Sequence, residues 1–458
     1  MTKGNIAPFK EKMQKEELPK IVHDTFEYYY NQLLGGETGL LPEEEIDAVE
    51  YLTNYNNLEN EYINYGNSVS TKSVIIKLNG GLGTSMGLSA AKSLLKVKNG
   101  YSFLDIIAKQ AIASKIPLVL MNSFNTQKDS LKVLKKYPEL QNRIPLDFLQ
   151  AKIPKINVNN HEPATHNENP NLEWCPPGHG EIYLALVTSG MLNILLENNI
   201  EYAFISNSDN LGAVMDFRIL GYFAKNNFPF LMEVANRTAA DKKGGHLAKL
   251  KNGQFILRES AQCPDEDINE FQNINKHKFF NTNNIWVNLK ALKEILSEKD
   301  NILGLPMIVN KKTVNPKDAN SDKVYQLETA MGSAISVFKG ATALAVPRTR
   351  FAPVKTTEDL LSVRSDNYIL TDDYKIIPNP ERKLKPIVIS LDSKYYKLVD
   401  DMTERFPEVP SLIECEDLKI IGDYSFGKNV KLIGKVELKN DNEHQIKIED
   451  GKVVVGKE

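Results

Sequence analysis

Ile75-Ile-Lys-Leu-Asn-Gly-Gly-Leu-Gly-Thr-Ser-Met-Gly-Leu-Ser-Ala-Ala-Lys-Ser-Leu-Leu95 carries a β-branched run, begun at Val74, straight into Gly80, Gly81, Gly83 and Gly87, and closes on Lys92. Glycines allow positive φ and close backbone approach, so successive N–H groups can point at phosphate oxygens. A lysine at the loop's end adds a point charge for those oxygens. The stretch therefore reads as a strand feeding a phosphate-binding loop. Outward from it, similar apolar runs recur at 117–121, 202–206 and 228–234, with helix-length amphipathic segments at 103–115 and 189–197 between them. Such alternation predicts an α/β fold with a largely parallel sheet covered on both faces. Ligands of these sheets sit beyond the carboxyl ends of the strands, so chemistry is sought just after each apolar run.

Two other phosphate loops share parts of this pattern. A P-loop needs glycine directly before its lysine, and Ala91 stands there. A dinucleotide fold is suggested by Gly81, Gly83 and Gly87, but it expects an acidic residue after the second strand, where Asn122 and Ser123 follow. A glycine-rich turn without any ligand is a third reading of the loop taken alone.

Composition narrows the rest. With 56 Lys and Arg against 59 Asp and Glu, the chain of 458 residues has no global basic field to hold a nucleic acid. Its 41% hydrophobic content suits a folded core rather than disorder. Cys175, Cys263 and Cys415 are far apart and form no C-x-x-C pair, which fits a reducing compartment. The charged first twenty residues and the absence of a long apolar window point to the cytoplasm, without a membrane span. Pro42 ahead of Glu43, Glu44 and Glu45 is a favourable helix start, within a stretch before residue 70 that reads as helical. The Asn- and Pro-rich segment 152–172 reads as a loop.

The tail repeats itself. Leu418, Tyr424, Val430 and Val436 are spaced by six, as are Ile420, Phe426, Leu432 and Leu438. A six-residue period of apolar pairs predicts the rungs of a parallel β-helix, with a β-meander as the alternative. Lys457 and Glu458 would then serve as a charged cap on its last edge.

Read together, these blocks resemble the eukaryotic-type UTP–glucose-1-phosphate uridylyltransferases, the UDP-glucose pyrophosphorylases. The likeness runs in order through Leu78 to Gly87 with Lys92 and Ser93, Pro117 to Thr126, Pro176-Pro-Gly-His-Gly180, Ser206-Asn-Ser-Asp-Asn-Leu-Gly-Ala213, Lys243-Gly-Gly245, Phe280 to Trp286, Gln326 to Ala330 and Val346 to Thr357. The chain departs from the family pattern at Ala91, usually Pro, and at Glu181, usually Asp. The resemblance implies a mixed, mostly parallel Rossmann-like nucleotidyltransferase sheet flanked by helices. It also implies an N-terminal helical extension over 1–70, a catalytic domain over 71–385 and a short left-handed β-helix over 386–458. The implied reaction is attack of a glucose 1-phosphate oxygen on the α-phosphorus of UTP, with Mg²⁺ as cofactor.

The same resemblance assigns roles. Lys355 would bridge sugar phosphate and α-phosphate, Lys92 would face the departing phosphates, and Asp209 would hold the metal. Leu78, Asn79, Gly80 and Gly81 would line the UTP site, with Gln150 reading the uracil edge and Gly178 lying against the ring. His179 and Asn207 would touch the sugar phosphate, while Gly245, Glu259 and Asn283 would stand near the glucose hydroxyls. Arg348 and Arg350 either support this site or pair with carboxylates. The implied partners are the two small-molecule substrates, with neither nucleic acid nor membrane, and a homo-oligomer through the C-terminal domain. Rival readings are a UDP-N-acetylhexosamine pyrophosphorylase, whose loop carries Arg-Leu-Gly where this chain has Ser85-Met86-Gly87, and a catalytically silent nucleotide-sugar sensor.

Overall fold

In the computed structural model, which describes residues 4–316 and 318–457, the strand Ser73–Asn79 sits centrally in an eleven-stranded sheet. Its β-branched residues alternate between two cores. Val74 and Ile76 face one apolar cluster with Ala203 and Ile205, whereas Ile75 joins a second with Leu104, Leu118 and Leu120. A sheet buried on both faces is the reason the strands read as near-continuous apolar runs.

Ser73–Asn79 pairs in parallel with Tyr202–Asn207 on one side and Leu118–Asn122 on the other. Beyond these, Asp147–Leu149 extends the sheet in parallel at one edge. Phe279–Asn288 is inserted antiparallel to both Tyr202–Asn207 and Phe230–Asn236. The sheet is thus mixed and mostly parallel, as expected. The helix Phe103–Ser114 begins at a reciprocal cap: the Ser102 hydroxyl accepts the Asp105 N–H at 3.1 Å and the Asp105 carboxylate accepts the Ser102 N–H at 2.9 Å.

Three local expectations change. Glu43–Glu45 forms a single 3₁₀ turn rather than opening a helix, because Glu43 is drawn to Arg258, His277 and Lys276. The chain then adds Ile46–Ala48 against His246–Leu250 and Thr53–Asn54 against Thr342–Ala345, so the stretch before residue 70 contributes strands as well as helices. These strands are too short to carry a periodic signal. Segment 152–172 is no plain loop: Ile153 and Ile156 are buried against the N-terminal helices, and Ile156–Asn157 pairs with Lys323–Thr329. Its polar residues hid two apolar anchors that only packing reveals.

In the tail every pairing between named strands is parallel, which overturns the meander. Leu418 lies beside Val436 and Ile420 beside Leu438, three six-residue steps along the chain. Leu418, Ile420, Leu432, Val436, Leu438 and Val454 are buried together with Val354, Leu360 and Met86 of the preceding region. The tail therefore packs directly on the glycine loop: a Cβ at Gly87 would touch the Leu398 side chain at 3.1 Å. Glu458 and the Lys457 side chain, expected as a cap, lie outside the described residues. Among the described residues no single helix is long and apolar enough to cross a membrane.

Candidate active site

The glycine loop leaves the carboxyl end of Ser73–Asn79 and is tied by its own backbone. Gly83 and Gly87 take left-handed conformations, φ 70° and 79°, around a 3₁₀ turn over Thr84–Met86. The Lys92 N–H reaches back to the Gly81 carbonyl at 3.0 Å, which closes the loop. Ala91 has φ −54°, inside the range a proline would impose, so the departure from the family pattern leaves the backbone where proline would hold it.

The loop brings Lys92 to Asp209: the ammonium and carboxylate are 2.7 Å apart. Asp209 lies just past the end of Tyr202–Asn207, as the rule for open parallel sheets requires. From there the chain pairs with the segment carrying Lys355. Val354 N–H donates to the Asp209 carbonyl and Leu211 N–H to the Ala352 carbonyl, both at 3.2 Å, with Asn210 opposite Pro353. Lys355 itself is exposed, its ammonium 5.9 Å from the Phe351 ring centre. Its backbone N–H is held by the Asp359 carboxylate at 2.8 Å, at the capped start of the helix Thr357–Arg364. Lys92, Asp209 and the backbone bearing Lys355 are therefore joined, although they are distant in sequence.

The other predicted residues extend this line. Gln150 lies over Gly80, where a Cβ would meet its amide at 2.9 Å; a larger residue at 80 would displace it. Gly81 has open space around it. Asn79 differs from a direct ligand in its side chain, which is buried and donates to Asn122 and Ser130, so only its backbone can face a nucleotide. The Leu78 carbonyl accepts the Ser208 N–H, fastening the glycine loop's strand to the Asp209 loop. Asn207 ends its strand opposite Leu78.

His179 stands in a loop whose glycines are sterically required. Gly178 has φ 82°, and a Cβ there would lie 2.5 Å from the Thr329 carbonyl oxygen. This explains the block at Gln326 to Ala330: it is the backbone wall against which the histidine loop rests. The His179 Nδ1 accepts the Met331 N–H at 3.0 Å, and burial holds its pKa down to about 4. The ring is then neutral near pH 7 with its proton on Nε2, which makes it a donor at that atom.

Gly245 and Glu259 are in contact, since a Cβ on the glycine would run into the Glu259 carboxylate. Burial raises the Glu259 pKa, and the charge of Lys355 opposes the rise. Asn283 sits at φ 56° in a bulge, because Glu233 pairs with Asn284 while the next residue, Val234, pairs with Asn281. Bulges re-aim side chains near active sites. Asn281 and Asn283 bond each other side chain to side chain at 2.8 Å. Alternation along the strand gave no sign of the two extra residues.

The arginines resolve toward carboxylates. Arg350 binds Glu233 through two 2.6 Å contacts, both groups buried, and Arg348 reaches Asp241 at 2.7 Å. Sequence reasoning also missed Lys77, a buried lysine held by the Ser206 hydroxyl and the Ala213 carbonyl, each at 2.7 Å. Burial pulls its pKa down to about 7. It lies between the glycine loop's strand and the Asp209 loop, and a single lysine within an apolar run was the only signal.

Glu181 is the second departure from the family pattern. It is 5% exposed, its nearest hydrogen bond is the Ala151 N–H at 3.4 Å, and burial pushes its pKa up to about 8. A carboxyl that keeps its proton in the folded state but loses it when unfolded lowers stability as pH rises from about 4.5, its unfolded value, to about 8. Glu181→Gln should therefore raise the urea midpoint more at pH 8 than at pH 5. Equal gains at both pH values would show that the carboxyl is ionised in the fold.

A glycine-rich loop, two lysines and a carboxylate gathered past the carboxyl ends of parallel strands define an α/β protein built for a phosphorylated nucleotide ligand. Comparison with known proteins narrows the class. Residues 23–433 match the sequence model of the UTP–glucose-1-phosphate uridylyltransferase family. The chain is 44% identical over 395 residues to the UTP–glucose-1-phosphate uridylyltransferase of Solanum tuberosum, covering 84% of this chain and 81% of that one. Its fold is similar to a mutant UDP-glucose pyrophosphorylase from Leishmania major, with TM-score 0.92, 42% identity and coverage of 99% and 98%. A second mutant of that protein, in complex with UDP-glucose, matches with TM-score 0.91 at 40% identity over the whole of both chains. The chain belongs to the UTP–glucose-1-phosphate uridylyltransferase family.

Proposed function

We propose that the chain transfers the uridylyl group of UTP to glucose 1-phosphate, giving UDP-glucose and pyrophosphate. The observation that carries this reading is the junction of Lys92, Asp209 and the Lys355 segment at the sheet's carboxyl edge. A phosphate oxygen of the sugar attacks the α-phosphorus, the bond from that phosphorus to the bridging oxygen breaks, and pyrophosphate leaves with the electron pair. The nucleophile is already an anion, so no side chain takes a proton; the protein aligns two polyanions and offsets their charge.

Lys355 spans the sugar phosphate and the α-phosphate, and Lys92 offsets charge growing on the leaving pyrophosphate. The backbone at Leu78, Asn79, Gly80 and Gly81 cradles the nucleotide. Gln150, which offers both donor and acceptor, reads the uracil edge while the ring lies on Gly178. His179 donates from Nε2 to the sugar phosphate beside Asn207, and Gly245, Glu259 and Asn283 receive the glucose hydroxyls.

The donor set bears on magnesium. Among the described residues no group of three or more His, Cys, Asp or Glu side chains is gathered to hold a metal. A single carboxylate, Asp209, fits an ion that arrives with a nucleotide and completes its shell with phosphate and water. When bound, Mg²⁺ would add positive charge beside the α-phosphate.

We further divide the chain into an N-terminal extension to residue 70, a catalytic domain to 385 and a C-terminal domain that forms a left-handed β-helix. The all-parallel pairing, with the 18-residue offset that sets Leu418 beside Val436 and the 22-residue offset that sets Tyr424 beside Ile446 and Leu432 beside Val454, supports a coil of short strands. The exposed Val453 and Val455 on its last strand suit association of copies there. Free thiols at Cys175, Cys263 and Cys415 suit the cytoplasm.

Pyrophosphate release with UTP and Mg²⁺ tests the reaction. Release with glucose 1-phosphate at a rate at least about a hundredfold above that with N-acetylglucosamine 1-phosphate is expected, since a pocket built for one polyol crowds the added acetamido group. The reverse preference would move the chain to hexosamine chemistry; no release with either sugar, despite UTP binding, would make it a sensor.

A further inference from the structure

Asn210 is 5% exposed, and all four of its side-chain hydrogen-bonding positions are used. Its amide nitrogen donates to the Asn284 side-chain oxygen at 3.1 Å and to the Arg350 carbonyl at 3.2 Å. Its oxygen accepts the Ala352 N–H at 2.9 Å and the Gly212 N–H at 3.1 Å. One buried amide thus touches the Asp209 loop, the segment leading to Lys355, and the strand position next to Asn283.

These partners are themselves anchored. Arg350, whose carbonyl Asn210 engages, is clamped by Glu233 and also donates to the Val214 carbonyl at 3.0 Å. Glu233 accepts in addition from Trp286 at 2.9 Å and from Asn284 at 3.1 Å. Asn284 donates to the Arg350 carbonyl as well, at 3.1 Å. Gly212 must lack a side chain because a Cβ there would collide with the Thr349 carbonyl. The backbone ladder between 209–211 and 352–354 has only two bonds, each at 3.2 Å. A two-bond ladder at an open edge frays easily unless a buried group secures it.

We infer that Asn210 is a positioning residue, which sets the separation of Asp209 from Lys355 and their placement relative to Asn283. The inference rests on the uridylyltransferase reading above. It acts through other groups, since its own side chain is wholly engaged by protein atoms and none is left for substrate. Transfer between two held phosphates depends steeply on alignment, and a displacement of about 1 Å costs about 10²-fold in rate.

The test uses the full chain, with Mg²⁺, UTP and glucose 1-phosphate, and begins with the parent's pyrophosphate release. An inactive parent overturns the functional reading and the positioning role with it. In an active parent, Asn210→Ala should lower kcat about 10²-fold while the KM for UTP stays within about twofold, because the uracil contacts lie elsewhere. The same substitution placed on Lys355→Met should cost less than about threefold more, since Asn210 then has no lysine left to place. Equal losses in both backgrounds, or a parental kcat in the folded Asn210→Ala protein, would overturn the role.

Asn210→Asp serves if the alanine variant fails to fold. It is nearly isosteric and keeps both accepted bonds, but replaces the two donated bonds by repulsion from the Asn284 oxygen and the Arg350 carbonyl. Its kcat should also fall about 10²-fold while the KM for UTP stays within about twofold, and a parental kcat in this folded variant would overturn the role.

Discussion

Lys355→Met should lower kcat/KM for pyrophosphate release about 10³-fold, while unfolding in urea stays at the parental midpoint. The two halves of this expectation come from different observations. The lysine is exposed and its only described cation–π contact is the Phe351 ring at 5.9 Å, so methionine keeps the apolar stem and costs the fold little. The segment just before the lysine, however, is tied to the backbone at 209–211, next to the Lys92–Asp209 pair, and under the proposed function the ammonium serves where the two phosphates meet. Removing a group aimed at developing charge in a prepared site costs about 10² to 10³-fold, and more where it also aligns the reactants. Binding of UTP, read by calorimetry, should weaken far less than the rate, because the glycine loop and Gln150 remain. A variant retaining more than a tenth of parental activity would remove Lys355 from the reaction.

Glu233→Gln should destabilise the chain by about 3 to 5 kcal/mol, the cost of leaving one partner of a buried ion pair uncompensated. The Glu233 side chain is fully buried and that of Arg350 is 8% exposed. Glutamine can satisfy Trp286 or Asn284, but it cannot accept both Arg350 bonds and theirs with a neutral oxygen. The loss would appear as a fall in the urea midpoint and as lower activity, because the carbonyl of Arg350 is an Asn210 partner. Glu233→Met combined with Arg350→Met should recover much of the stability, though not the activity. A single variant as stable as the parent would show that the pair is solvated in solution.

How much of this was legible in the chain varies with the physics of each part. The strand and glycine loop at 75–95 were readable because their signals are local: β-branched residues, then glycines at positions that require positive φ. In the tail the period of six was readable where it sets Leu418 beside Val436 and Ile420 beside Leu438 in a parallel pair, but the pairs beyond it are offset by 22 residues, which the period did not show. Segment 152–172 was misread because Ile153 and Ile156 are scattered among Asn and Pro, and only contact with the N-terminal helices makes them core. The turn at Glu43 was misread for a related reason. Three glutamates after a proline favour a helix locally, yet Arg258, a residue far along the chain and buried, takes the first of them.

For the site, identities came from sequence and relations from the fold. Lys92, Asp209, Lys355, His179 and Gln150 could be named because the short blocks that carry them resemble those of the family, although only Asp209 and Gln150 lie just past a strand. That Lys92 closes on Asp209, that His179 carries its donor proton on Nε2 and that Asn210 joins two loop segments to a strand are consequences of tertiary structure. Hydrogen bonds between residues some 140 positions apart leave no trace in local spacing, because a buried asparagine and a surface one look the same until the chain has folded around one of them.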